Sequence, residues 1–156
     1  MRNTSIIRKF LSILLALALV GLFASCKKDA DDDSYKIVYA GISFGEDGTK
    51  ADIDAFIVAC GLVSDTDYTL SGTTLTFTDA GFAKFLATVT VTYQSPEPYV
   101  AFVCYKGQAL MPVTQDDIDE FIAYGFIEGT DYTYAGNNQI IILTDAGYQK
   151  GEQLGI

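Results

Sequence analysis

The stretch TDYTLSGTTLTFTDAG, Thr66–Gly81, returns later in the chain as TDYTYAGNNQIIILTDAG, Thr130–Gly147. The match extends outward on both sides. Thr49–Ile57 (TKADIDAFI) aligns with Thr114–Ile122 (TQDDIDEFI), Gly61–Val63 with Gly125–Ile127, and the leading runs KIVYAG, Lys36–Gly41, and FVCYKG, Phe102–Gly107, also correspond. The offset drifts only between 64 and 66 residues, so the chain reads as a duplicated unit of about 60 residues.

Each unit predicts the same order of elements. A β-rich run, Tyr35–Phe44 or Tyr99–Tyr105, comes first. A helix opened by threonine follows. Thr49 and Thr114 each stand three residues before an aspartate, Asp52 and Asp117, in the pattern by which a side chain and a backbone amide cap one another. Ile53, Phe56, Ile57 and Cys60 fall on one helical face, Ile118, Phe121, Ile122 and Gly125 repeat the spacing, and Gly61 and Gly125 are helix stops. A hairpin then turns near Ser71-Gly72 in one unit and within Gly136-Asn137-Asn138 in the other. TDAG opens a second helix, capped by Thr78 or Asp79 and by Thr144 or Asp145. Ala87–Tyr93 (ATVTVTY) alternates like a strand, and Gln94–Pro98 is a linker. The expected fold is therefore α+β, two tandem βαββα repeats, residues 35–93 and 99–156, packed into one pseudo-symmetric domain. A single unit of this size is marginal alone, so the second is expected to complete a core.

The N-terminus predicts an address. Arg2, Arg8 and Lys9 precede the apolar run Phe10–Phe23, and Ala24 and Ser25 follow it, the pattern of a secretory leader over residues 1–25. LFASC, Leu22–Cys26, resembles a bacterial lipobox, which implies cleavage before Cys26 and acylation, typically with palmitate, at that cysteine. More than one acyl chain holds a protein stably on a membrane. KKDADDDS, Lys27–Ser34, completes an acidic tether over residues 26–34 and resembles the surface-export stretch of Bacteroidota-type outer-membrane lipoproteins. That resemblance implies a lipid-anchored protein of the outer membrane facing the exterior; the alternative is a plain spacer on the periplasmic face. Two shorter stretches, DYTLSGTTLTFT and FIAYGFIEGTDYTYAGNNQIIILTDAG, resemble hairpins of bacterial immunoglobulin-like and winged-helix domains. Both resemblances are local, and DNA binding is not carried over.

Charge narrows the partners. The leader holds three of the ten basic residues and none of the twenty acidic ones, so removing it takes the net charge from −10 to −13. Nucleic acid and anionic head groups repel such a chain. With no histidine, Ser-His and Cys-His nucleophiles and the commonest metal ligand are gone. The paired acids Asp52 and Asp54, and Asp116, Asp117, Asp119 and Glu120, read either as a calcium site or as acids favoured in the first turn of a helix; no calcium-loop spacing accompanies them, and no metal or other cofactor is expected. Cys60 and Cys104 lie in apolar surroundings, read as buried thiols with a disulfide as the alternative.

Tyrosine is the informative surplus. Ten are present with no tryptophan. Tyr39/Tyr105 and Tyr68/Tyr132 match between units and read as packing. Tyr93, Tyr99, Tyr124 and Tyr134 have no counterpart, and exposed tyrosines anchor partners or stack on sugars. The expectation is a binding lipoprotein without catalytic activity that recognises a protein partner or joins a surface assembly. The alternatives are a carbohydrate- or small-ligand-binding accessory protein and, last, a small hydrolase using paired acids.

Overall fold

The computed structural model describes residues 34–156, apart from the side chains of residues 45–47. The leader, Cys26 and all of the acidic tether but Ser34 lie outside the described residues. Helices and strands are mixed in an α+β fold. The order is β1 (Tyr35–Tyr39), β2 (Ile42–Gly48), α1 (Lys50–Cys60), β3 (Tyr68–Ser71), β4 (Thr74–Phe77) and α2 (Asp79–Thr92). Then come β5 (Tyr99–Tyr105), β6 (Gln108–Thr114), α3 (Gln115–Ala123), β7 (Tyr132–Ala135), β8 (Ile140–Leu143) and α4 (Asp145–Leu154). No described helix is long and apolar enough to cross a membrane.

Two expectations are corrected. Each half begins with two strands, giving ββαββα instead of βαββα. Ala40-Gly41 and Lys106-Gly107 form tight turns with all four φ angles positive, between +49° and +79°, the geometry that suits a two-residue hairpin. Alanine and lysine do not advertise such a turn, so the run looked continuous. Second, Ala87–Thr92 is not a strand but the last turns of α2. Thr88, Thr90 and Thr92 each donate a hydroxyl hydrogen bond to the carbonyl four residues back, at 2.8–3.0 Å. Phe82, Phe85, Leu86 and Val89 meanwhile bury one helical face. Packing outweighs the strand preference of the β-branched residues.

All eight strands form one sheet in the order β3-β4-β1-β2-β6-β5-β8-β7. The halves meet where β2 runs parallel to β6, with Ser43 opposite Gln108. A twofold relation that leaves these central strands parallel turns the sheet over, and the cores follow suit. On one face α1 and α2 bury Ile37, Phe44, Leu75 and Phe77 of their own half, and also Phe102, Cys104 and Ile140 of the other. Phe85 of α2 stacks on Phe102 of β5 (5.7 Å, 12°). On the opposite face Ala101, Val113, Ile118, Phe126, Tyr132 and Ile141 form a smaller core beneath α3.

The motif that opens each second helix is explained by one buried aspartate. Asp67 accepts hydrogen bonds from the Val63 amide (2.8 Å) and Lys84 (2.6 Å); Asp131 accepts them from the Ile127 amide and Lys150, both at 2.9 Å. Thr78 and Thr144 cap α2 and α4 and donate their hydroxyls to the carbonyls of Thr66 and Asp67, and of Thr130 and Asp131. Gly81 and Gly147 let the helix backbone lie against those aspartates: a Cβ at either would stand 1.9 Å from the Asp67 or Asp131 carbonyl oxygen.

The lysine and the backbone amide hold both carboxyls below the usual carboxylate range. Their folded-state values thus lie below the unfolded value near 4. The stability they contribute is complete above that value and is lost as pH falls through the lower, folded-state values. Thermal melts between pH 7 and pH 2 should therefore show a steep loss starting near about pH 4, flatter in an Asp67→Asn, Asp131→Asn double variant. Equal steepness in both proteins would refute this assignment.

Cys60 and Cys104 are free, buried thiols. Burial raises the Cys60 thiol and pushes Cys104 up to about 12, so neither is a ready nucleophile.

Candidate functional site

The surface of the second half is broken by a cleft of about 940 Å³ beneath α3, α4 and the Gln94–Glu97 loop. Its apolar lining comes from β5, β6, β8, α3 and the turn after α3: Val103, Met111, Val113, Phe121, Phe126 and Leu143. Phe121 and Phe126 stack at 3.6 Å. Asp116, Asp117 and Glu120 of α3, Glu152 of α4 and Glu97 also line it.

Its origin can be read by extending the internal alignment past TDAG. TDAGFAKFLATVT, Thr78–Thr90, stands over TDAGYQKGEQLGI, Thr144–Ile156. Phe85 corresponds to Gly151, Leu86 to Glu152 and Val89 to Gly155. In the first half all three side chains are buried in one core, and Phe85 sits in a cage of rings with Phe44, Phe56, Phe77 and Phe82. In the second half α4 is shorter, and glycine leaves the corresponding space unfilled; a Cβ at Gly151 would meet nothing closer than the Ile156 carbonyl oxygen at 3.4 Å. The surrounding frame is kept. Tyr148 stacks on Tyr105 (4.1 Å, 8°) as Phe82 does on Tyr39 (4.1 Å, 13°). The Tyr105 hydroxyl donates to Asp145 at 2.7 Å and that of Tyr39 to Asp79 at 2.8 Å.

Three of the four unmatched tyrosines line this cleft. Tyr93 and Tyr99 stand edge-to-face across the Pro96–Pro98 linker (6.4 Å, 81°), and Tyr124 closes α3 with its hydroxyl donating to Glu120 (3.1 Å). The Tyr93 hydroxyl is buried and has no hydrogen-bond partner among the described residues; burial raises its pKa. A buried polar group left unpaired is costly. Tyr134 lies outside the cleft, on β7, where its ring packs edge-to-face on Tyr132 (5.5 Å).

The paired acids do not converge on a cation. Asp52 and Asp117 close capping boxes with Thr49 and Thr114, Asp54 pairs with Lys50, and Asp119 accepts from Gln115. Among the described residues no group of three His, Cys, Asp or Glu residues is placed to hold a metal. Sequence reasoning missed Asp67, Asp131, Lys84 and Lys150. The signal was present in TDAGFAK and TDAGYQK, where the lysine recurs three residues after the glycine. Comparison with protein families, with curated proteins and with solved structures finds no match to this chain.

Proposed function

We propose that the chain is a lipid-anchored binding protein of the cell envelope, without catalytic activity, built from two copies of one ββαββα unit. In this reading the first copy supplies a packed core and the second supplies a ligand cleft. The carrying observation is the replacement of Phe85, Leu86 and Val89 by Gly151, Glu152 and Gly155, which opens an apolar space inside an otherwise matched frame. Its volume is within the range of small-molecule sites, and its apolar lining suits one. This geometry favours a small ligand over a flat protein-docking surface. The protein-partner reading keeps one observation in its favour: Ile122 and Ile127, close in sequence to the cleft residues Phe121 and Phe126, are exposed. A non-catalytic role is supported by the acids whose titration is shifted. Asp67, Asp131 and Asp145 are all held below the usual range by hydrogen bonds and lysines, the opposite of a general acid.

Photo-crosslinking with a neutral probe, 4-benzoylbenzyl alcohol, tests the cleft. Adducts should map to Met111–Phe126 and Tyr148–Ile156. They should vanish in Gly151→Phe, or in Gly151→Leu should the larger side chain prevent folding. Adducts scattered evenly over the surface would sink the reading. The address is tested separately: Cys26→Ser should leave the chain out of the membrane fraction, and protease added to intact cells should remove the domain if it faces outward.

A further inference from the structure

We infer, resting on the reading of the cleft as a ligand site, that its ligand is a small amphiphile with a protonated amine, its apolar body against Phe121 and Phe126 and its cation at the acidic rim. Charge argues first. Asp116, Asp117 and Glu120 on α3, Glu152 on α4 and Glu97 on the linker come from three separate segments and line one opening, and no Lys or Arg is among the lining residues. Lys150, whose ammonium lies 5.0 Å from the Phe126 ring centre, is already held by Asp131 and the Gly125 carbonyl. It is therefore committed to the fold and does not neutralise the rim.

The five acids are not equally occupied. Asp117 is taken up by the Thr114 cap, and Glu120 accepts from Tyr124. Asp116, Glu152 and Glu97 have no side-chain hydrogen bond among the described residues, which leaves their oxygens available to an ammonium donor. Three tyrosine rings, Tyr93, Tyr99 and Tyr124, add negative π faces, which favour a cation over a neutral or anionic group. The surplus of negative charge over the chain draws cations in and repels carboxylate or phosphate ligands.

A series with one ring system and three charges tests this. 4-Benzoylbenzylamine, 4-benzoylbenzyl alcohol and 4-benzoylbenzoate are cross-linked to the full chain, kept in solution by zwitterionic lipid nanodiscs, and the concentration for half-maximal cleft labelling is read for each. The amine should reach half-labelling at a concentration about tenfold lower than the alcohol, and the carboxylate should label least. The Asp116→Asn, Glu152→Gln variant, which removes two of the unoccupied carboxylates, should bring amine and alcohol within about twofold of one another. Raising salt should narrow the same gap. Equal labelling by alcohol and amine overturns the cationic preference while leaving the cleft as an apolar site. No cleft-specific adduct from any of the three overturns the ligand site itself. Protection of the cleft by a basic peptide but not by benzylamine assigns it to protein docking and overturns the small-amphiphile proposal.

Discussion

Replacing Gly81 or Gly147 by alanine is expected to cost about 3 kcal/mol or more at each site, measured by urea denaturation. A methyl at either position would lie 1.9 Å from a backbone carbonyl oxygen, Asp67 or Asp131, and that oxygen cannot move freely. It accepts from the Thr78 or Thr144 amide at 2.9 Å and from the same residue's hydroxyl at 3.1 Å. Relief requires the helix to back away from the loop, which pulls Lys84 or Lys150 off its buried aspartate. The double variant would consume most of the roughly 5–15 kcal/mol that holds a domain of this size together. Gly151→Ala is the control. There a methyl would meet only ordinary contacts at 3.4 Å and beyond, and exchanging glycine for the better helix former should stabilise by up to about 1 kcal/mol. A mild effect at Gly81 or Gly147, comparable to that at Gly151, would mean that the helix does not need its close approach.

The second large effect should fall unequally on matched positions. Phe82→Ala removes a fully buried ring that touches Tyr39, Phe44, Phe77, Phe85 and Phe102. It should cost about 3–5 kcal/mol, since the cavity left behind is enclosed on every side. Tyr148→Ala, its counterpart, removes a half-buried ring beside an existing opening, where water can fill the gap. About 1–2 kcal/mol is expected there. Thermal or urea melts of the two variants decide the matter. Equal losses would mean that the second half is as tightly packed as the first, and the cleft would lose its physical basis.

Much of the local structure could be read directly from the residues, because it is built from short-range chemistry. Thr49 with Asp52, and Thr114 with Asp117, form the reciprocal caps that their spacing predicts, and Thr78 and Thr144 cap the later helices. What the sequence hid depends on contacts between distant elements. ATVTVTY has the alternation of a strand, and only the sheet beneath Val89 makes it a helix. The hairpins at Ala40-Gly41 and Lys106-Gly107 place a left-handed alanine or lysine before the glycine, where asparagine, aspartate or glycine is the usual signal. The burial of Asp67 and Asp131 depends on lysines 17 and 19 residues later, and only the recurrence of that lysine in both copies marks the pairing. Tyr93, Tyr99 and Tyr124 stood out by lacking partners in the alignment. The cleft that gathers them came from the opposite signal, large side chains of one copy replaced by glycine in the other.

The helix α2 reaches across the midline. It shelters Phe102 of the far half, while on the opposite face of the near half Lys36, Thr69, Ser71 and Thr76 stay open to water. One helix thus roofs both copies, and α4 is released from that duty. Residues 151–155 can then change with little consequence for the shared interior, so this short stretch is the natural place for diversification. Under the proposed reading of the cleft as a ligand site, a protein of this architecture would exchange one cargo for another by redecorating a single wall, without renegotiating how it folds.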